Sequence, residues 1–212
     1  MRNDIKVYVV GGDRACANWI SNNFVETVKE ADLVLFTGGE DIDPSLYGHP
    51  KHNMTHSNLN RDHDEAAFFK LALNDKKKIL GIGRGAQLIC VMAGGNLIQH
   101  QENPGFIHTM YTSDNDYPLI RTTSTHHQSQ DPHSVLGMSY DILAWTENAV
   151  GKKENGYYQA FLTKRDIEIV YYRNIDALAI QGHPEYVADD PNMMLSMSYH
   201  YKLLDKFMYN RL

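Results

Sequence analysis

Residues 78–95, KILGIGRGAQLICVMAGG, constrain the fold more than any other stretch. A β-prone apolar run, Lys78 to Ile82, stops at a glycine-flanked turn and passes directly into an apolar helix. An apolar strand without polar alternation is buried on both faces, which calls for a mainly parallel sheet between layers of helices. A sharp strand-to-helix turn lifts one residue above the sheet, and small flanking residues avoid clashes there; here they are Gly81 and Gly85. The helix that follows aims its first N–H groups at any negative charge developing above the turn. The residue at the apex, Gly83, has no side chain.

The rest of the N-terminal half repeats this alternation. Ile5 to Val10 reads as a buried strand ended by Gly11-Gly12, and Ala31 to Gly39 as a second strand ending in paired glycines. Between them, Ala17, Ile20, Phe24 and Val28 are spaced three or four apart, which predicts one face of a helix. Residues 40–60 read as a long loop, and Arg61 to Asn74 as a helix whose Asp62, Asp64 and Glu65 suit the positive end of its dipole. After Gly95 come short β-prone runs separated by turn residues, then one more buried strand in DALAIQGHPEY and a terminal amphipathic helix. The expected architecture is α/β: a mostly parallel central sheet flanked by helices on both faces, with additional short antiparallel strands. At 212 residues, 1–212 is expected to form a single domain.

Composition narrows the function classes. The net charge is −6, and the densest basic run, Lys76-Lys77-Lys78, reads as a solvated helix end, so charge does not point to nucleic acid. No stretch approaches 18 apolar residues, so no membrane span is expected. Two cysteines, Cys16 and Cys90, form neither a disulfide framework nor a metal spacing, and the expected location is a reducing cytoplasm. No cofactor and no metal are expected. His49, His52, His56 and His63 are scattered through a loop and a helix start without a cysteine partner.

Ligand chemistry in open α/β sheets gathers at the carboxyl ends of strands. Three such ends stop at glycine: Gly38-Gly39, Gly81 to Gly85, and Gly182-His183-Pro184-Glu185. The third offers an imidazole and a carboxylate two residues apart, a pair in which the carboxylate orients the ring. Other polar residues have plainer readings. Asp41 and Asp43 suit turn-forming and capping roles, and Arg61 with Asp62 suits a solvated ion pair. His126 and His127 are adjacent; in a strand they point to opposite faces, one packing and one lining a cleft. Cys90 lies seven residues beyond the apex, about 10 Å along a helix axis, among core neighbours. Cys16 lies near the first strand end.

Five motifs occur in order along nearly the whole chain: GGEDIDPSLYG (38–48), RDHDEAAFFKLAL (61–73), GIGRGAQLICVMAGGNLIQ (81–99), STHHQSQ (124–130) and QGHPEY (181–186). Together they resemble the class I glutamine amidotransferase-like superfamily, which has a flavodoxin-like α/β fold, and within it the free-standing γ-glutamyl hydrolases of the γ-glutamyl-GABA hydrolase kind. The resemblance implies a hydrolase of γ-glutamyl amide bonds acting through Cys, His and Glu. It places Gly83 where that family's nucleophilic cysteine stands, His183 as the base and Glu185 as its orienting partner. The backbone N–H groups of Gly39 and Arg84 fall at the oxyanion hole. Gly38, Gln87, Ser124, Thr125, His126, His127 and Gln128 fall at the glutamyl-binding positions. The implied ligand is glutamine or another small γ-glutamyl compound; the protein partners the resemblance allows are a second copy of the chain, as a homo-oligomer, or a synthetase, to which the chain would supply ammonia as a glutaminase subunit in the alternative reading. Three explanations of Gly83 stand side by side: an inactivated form of an active parent, a natural pseudoenzyme that binds a γ-glutamyl ligand or a partner protein without turnover, or attack by another residue. Retention of His183, Glu185 and both glycine loops favours the first.

Overall fold

The computed structural model describes residues 4–101, 107–123, 125–135, 140–146, 153–155, 158–159, 165–187 and 193–212. Strands β1 (Val7–Val10), β2 (Leu33–Phe36) and β3 (Lys78–Ile82) lie side by side in parallel. Helix α1 (Leu59–Asn74) connects β2 to β3, and α2 (Arg84–Met92) leaves the end of β3. Short strands follow: β4 (Asn96–Ile98), β5 (His100–Gln101), β6 (Ile107–Thr112), β7 (Leu119–Thr123), β8 (Ser129–Asp131), β9 (Tyr140–Thr146), β10 (Lys153–Asn155), β11 (Tyr158–Gln159), β12 (Asp166–Tyr172) and β13 (Ala177–Ile180). The chain closes with α3 (Pro184–Val187) and α4 (Met194–Met208).

Among the described residues the main sheet has eight strands in the order β1-β2-β3-β13-β12-β9-β6-β7. Its first four strands are parallel and carry the site, while β12, β9, β6 and β7 extend it in antiparallel fashion. The α/β expectation, helices on both faces and added antiparallel strands, is met. Alternate side chains along each central strand enter opposite layers, as the pleat requires. Leu33, Leu35, Leu80, Ile82, Leu178 and Ile180 pack with Trp19, Ile20, Leu203, Leu204 and Phe207 on one face. Val34, Phe36, Ile79, Ala177 and Ala179 pack with Phe69, Ala72, Leu88 and Ile89 on the other.

Residues 14–30 depart from the expected helix. Arg14–Ala17 and Val28–Glu30 form single 3-10 turns, and the chain between them runs extended at Phe24, which bridges Val7. The cause is competition for backbone hydrogen bonds. Val7 donates to the Asn23 carbonyl and Val25 donates to the Val7 carbonyl, at 2.9 and 3.1 Å, so this segment extends the edge of the sheet beyond β1. Helical spacing of apolar residues records only which side chains are buried; here an edge-strand geometry buries them equally well.

Helix α4 carries His200, 2% exposed, with Nδ1 2.8 Å from the Ser196 carbonyl oxygen. Burial pushes its pKa down to about 4. An unfolded chain takes up this proton near pH 6.5, so between these values the unfolded state binds more protons and stability rises with pH. The melting temperature should therefore fall as pH is lowered from 6.5 to 4. The variant His200→Gln should show a shallower fall over that window in a thermal-melt series; an unchanged slope would refute the assignment.

Candidate functional site

The register of the parallel strands brings the three glycine ends to one edge. Val10 pairs with Phe36, Phe36 with Gly81, and Ile82 with Ile180. Gly38-Gly39, Gly83 and Gly182-His183 therefore emerge side by side from β2, β3 and β13. At Gly83 the backbone takes φ +56° and ψ −115°, the sharp strand-to-helix turn expected from the sequence. Glycine adopts this positive φ freely, whereas a residue with a side chain would hold it only at a cost. Gly85 packs directly against the Phe36 carbonyl, which leaves no room for a Cβ. Helix α2 starts at Arg84 with no capping side chain on its first N–H groups.

A Cβ built on Gly83 would stand 2.9 Å from Nε2 and 3.0 Å from Cε1 of His183. The apex therefore faces the imidazole directly. Nδ1 of His183 lies 2.8 Å from Glu185 Oε1. This contact orients the ring, with Nδ1 on the carboxylate and Nε2 turned toward the apex. The backbone around the ring is fixed by Thr123, whose hydroxyl donates to the His183 carbonyl at 3.0 Å and accepts from the His183 N–H at 3.1 Å. Tyr186 stacks on the imidazole with centroids 4.7 Å apart and planes 15° apart.

These residues open onto a cavity of about 480 Å³. Gly38, Gly39, Gly83, Arg84, Gln87, Thr125, His126, His127, Gln128 and His183 all line it, so the structure brings together nearly every residue singled out from the sequence. Glu185 stands behind His183, and Ser124 lies outside the described residues. His126 and His127 do not divide between core and cleft as a strand would require. The chain is irregular between β7 and β8, and both rings line the cavity. Burial, with His108, His183 and His127 nearby, pushes the pKa of His126 down to about 3, so it is neutral at pH 7. His127 is shifted the other way by its hydrogen bond to Asp41 Oδ2, at 3.1 Å. Gln87 donates from Nε2 to the Gln128 carbonyl at 3.0 Å and so holds that loop to α2.

Several contributors were not evident from the sequence. Arg61 and Asp62 are no solvated pair. Asp62 is fully buried and, with Glu65, clamps the guanidinium of Arg84, which is itself buried. Arg61 links Glu65 at 2.7 Å, Glu40 at 2.5 Å and the Gly38 carbonyl oxygen at 3.0 Å. Asp62 also accepts the Asp43 N–H at 2.9 Å. The loop after β2 and the start of α2 are thereby tied to the same turn of α1. Asp43 caps the 3-10 turn Pro44–Tyr47 as expected, whereas Asp41 joins the cavity wall.

Cys16 also reaches the site. Its thiol donates to Glu185 Oε1 at 3.3 Å and lies 3.5 Å from Asp13 Oδ2. Burial and the neighbouring carboxylates push its pKa well above the ordinary thiol value, so it stays a thiol rather than a thiolate. Cys90 is fully buried and burial raises it to about 12. Among the described residues no group of three or more His, Cys, Asp and Glu side chains is arranged to hold a metal ion, and no helix is long and apolar enough to cross a membrane.

The peptidase C26 family profile matches residues 17–185. The “Putative glutamine amidotransferase-like protein YvdE” of Lactococcus lactis subsp. lactis is 32% identical over 162 residues, covering 73% of this chain and 66% of the relative. The chain spans less than two thirds of the length of the curated relatives it matches. Among solved structures, the glutaminase domain of Trypanosoma brucei CTPS with bound acivicin superposes with TM-score 0.58 at 10% identity, covering 98% of this chain and 95% of that one. A “putative gmp synthase subunit a protein” from Thermoplasma acidophilum superposes with TM-score 0.55 at 16% identity, covering 97% and 100%. At such identities these two likenesses concern the fold.

Proposed function

Because the chain belongs to the peptidase C26 family, we propose that its cavity binds the γ-glutamyl group of glutamine or a γ-glutamyl amide with the carbonyl carbon above Gly83. The observation that carries this reading is the placement of residue 83, with its Cβ position 2.9 Å from His183 Nε2 at the summit of a sharp turn. In an active parent a cysteine thiol at that point would lose its proton to His183 and attack the γ-carbonyl. His183 would then return the proton to the leaving amine, Glu185 would hold the ring in the required tautomer, and water would release glutamate. The N–H groups of Gly39 and Arg84 would receive the oxyanion. Gln87, Thr125, His126, His127 and Gln128 would surround the glutamyl half.

Gly83 removes the first of these steps and leaves the others standing, so this chain is a γ-glutamyl site without its thiol. Neither remaining cysteine replaces it. Cys90 is fully buried, and Cys16 is held as a protonated donor behind His183. Calorimetry with the protein as it stands should detect L-glutamine or γ-glutamyl amides, with Kd in the range of roughly 1 μM to 1 mM that enzymes show for their substrates. The corresponding α-glutamyl isomers should not bind. Equal binding of both isomers, or of neither, would remove the basis for a γ-glutamyl site.

A further inference from the structure

We infer that Arg61 is a positioning residue of the oxyanion hole. It holds the Gly38–Gly39 peptide with its carbonyl turned out of the cavity, and so turns the Gly39 N–H into it. The inference rests on the γ-glutamyl reading above, which gives that N–H its task, and goes beyond it by assigning the residue that keeps the donor in place.

One peptide unit carries both groups, the Gly38 carbonyl and the Gly39 N–H. Among the described residues no peptide bond is cis, so the two groups point to opposite sides of the chain. Arg61 Nη2 donates to the Gly38 carbonyl oxygen at 3.0 Å. Arg61 stands outside the cavity: it lines a second hollow with Val10, Gly11, Asn58 and Phe68, whereas Gly38 and Gly39 line the cavity itself. The anchored carbonyl therefore faces away from the cavity and the Gly39 N–H faces it. Among the described residues none accepts that N–H, so the donor is unclaimed.

The peptide has no other means of keeping this orientation. Glycine on both sides removes the Cβ contacts that restrict rotation of the plane. Turned over, the same peptide would present a carbonyl oxygen where an oxyanion needs a donor. The guanidinium that prevents this is itself locked. Nε donates to Glu65 at 2.7 Å, Nη1 to Glu40 at 2.5 Å and Nη2 to Gly38, so each nitrogen has its own acceptor. Its plane lies against two glycines: a Cβ on Gly39 would stand 3.0 Å from Cζ, and one on Gly11 3.2 Å from Nη2. Lysine would keep the charge but not the planar fork that holds three acceptors at once.

The test titrates isotope-labelled protein with L-glutamine and with the phosphonate analogue of glutamate, in which a tetrahedral anionic phosphonate replaces the γ-carboxylate. Calorimetry reads affinity and NMR reads the Gly39 amide. The Gly39 resonance should move as the phosphonate binds. In Arg61→Met and Arg61→Lys that movement should disappear, and phosphonate affinity should fall about tenfold or more, the worth of one hydrogen bond to a charged oxygen. Glutamine affinity should fall by a smaller factor, because a neutral carbonyl gains less from the donor. Crystal structures of the variants should show the Gly38 carbonyl turned toward the cavity. The Arg61 side chain is 23% exposed, so Arg61→Lys keeps a cation in a partly open position and should fold, as melting curves would check. Phosphonate affinity retained in Arg61→Lys would leave Arg61 only its charge, and an unturned peptide in both variants would leave it no hold on the Gly39 N–H. Phosphonate binding that does not move the Gly39 resonance in the unaltered protein would remove that N–H from the site. Each of these overturns the inference and leaves the γ-glutamyl reading intact. If neither glutamine nor the phosphonate binds the unaltered protein, both fall.

Discussion

Replacing Asp62 by Ala should destabilise the fold by about 1–3 kcal/mol, the cost of leaving buried donors unsatisfied. The group deprived of a partner is Arg84. Its guanidinium is almost fully buried, and its Nη2 and Nη1 are held by Asp62 and Glu65 respectively. Its Nε already has no partner, so removing Asp62 leaves the guanidinium with Glu65 alone among the carboxylates that hold it. For a chain of this size the loss corresponds to a melting temperature lower by roughly 2–12 °C. The same deletion frees the Asp43 N–H, which Asp62 accepts at 2.9 Å, and so loosens the loop that carries Gly39. Binding of γ-glutamyl ligands should therefore weaken even under conditions where the variant remains folded. A second variant separates charge from packing. Asp62→Leu combined with Arg84→Met removes both charges and keeps apolar volume, and such replacements are often neutral or stabilising. The double variant should regain most of the stability lost in Asp62→Ala, as read by denaturant midpoints. A loss below 1 kcal/mol in Asp62→Ala would show that water reaches Arg84 and that the clamp is not what fixes the start of α2.

The sequence disclosed the site better than it disclosed what supports it, and the reason is physical. Strand ends, glycine turns and the His183–Glu185 pair are local features, set by residues adjacent in the chain and by apolar runs that admit one reading. The parallel edge follows from them once β1, β2, β3 and β13 align. The Arg84 clamp is not local. Asp62 and Glu65 sit in the first turns of α1, where acidic residues have an ordinary role against the helix dipole. Only packing of α1 against α2 shows that they face inward. Cys16 and Glu185 are 169 positions apart, and the turn that brings Cys16 to the cavity replaces an expected helix. In that segment the spacing of Ala17, Ile20, Phe24 and Val28 correctly marks the apolar side chains as core-facing. It does not register the backbone exchange between Val7, Asn23 and Val25 that decides the conformation. The paired histidines show the same limit: alternation applies within strands, and residues 125–128 lie between two of them.

Gly83→Cys should convert the protein into a thiol-dependent γ-glutamyl hydrolase, raising kcat on a γ-glutamyl amide by a factor on the order of 10⁴ or more over the present chain. The gain is large because base, orienting carboxylate and oxyanion donors act as a unit with the nucleophile and count for little without it. The geometry admits the substitution at a cost. Residue 83 has φ +56°, a conformation that costs a non-glycine side chain about 1–3 kcal/mol. A Cβ at 2.9 Å from Nε2 also requires the imidazole to yield by a few tenths of an ångström. That contact is with the end of a side chain rather than with backbone, so a small rotation of His183 can relieve it, opposed mainly by Glu185 and the Tyr186 stack. Gly83→Cys and Gly83→Ala should thus lose similar stability in denaturant unfolding, while only the cysteine variant gains turnover. Its activity should disappear on alkylation and in the double variant with His183→Ala. A mass increase of one glutamyl group should appear under turnover, in contrast to the present chain. Should Gly83→Cys fold, bind glutamine and still turn over no γ-glutamyl amide in a broad panel, the cavity would be that of a binding protein whose retained imidazole and carboxylate serve recognition.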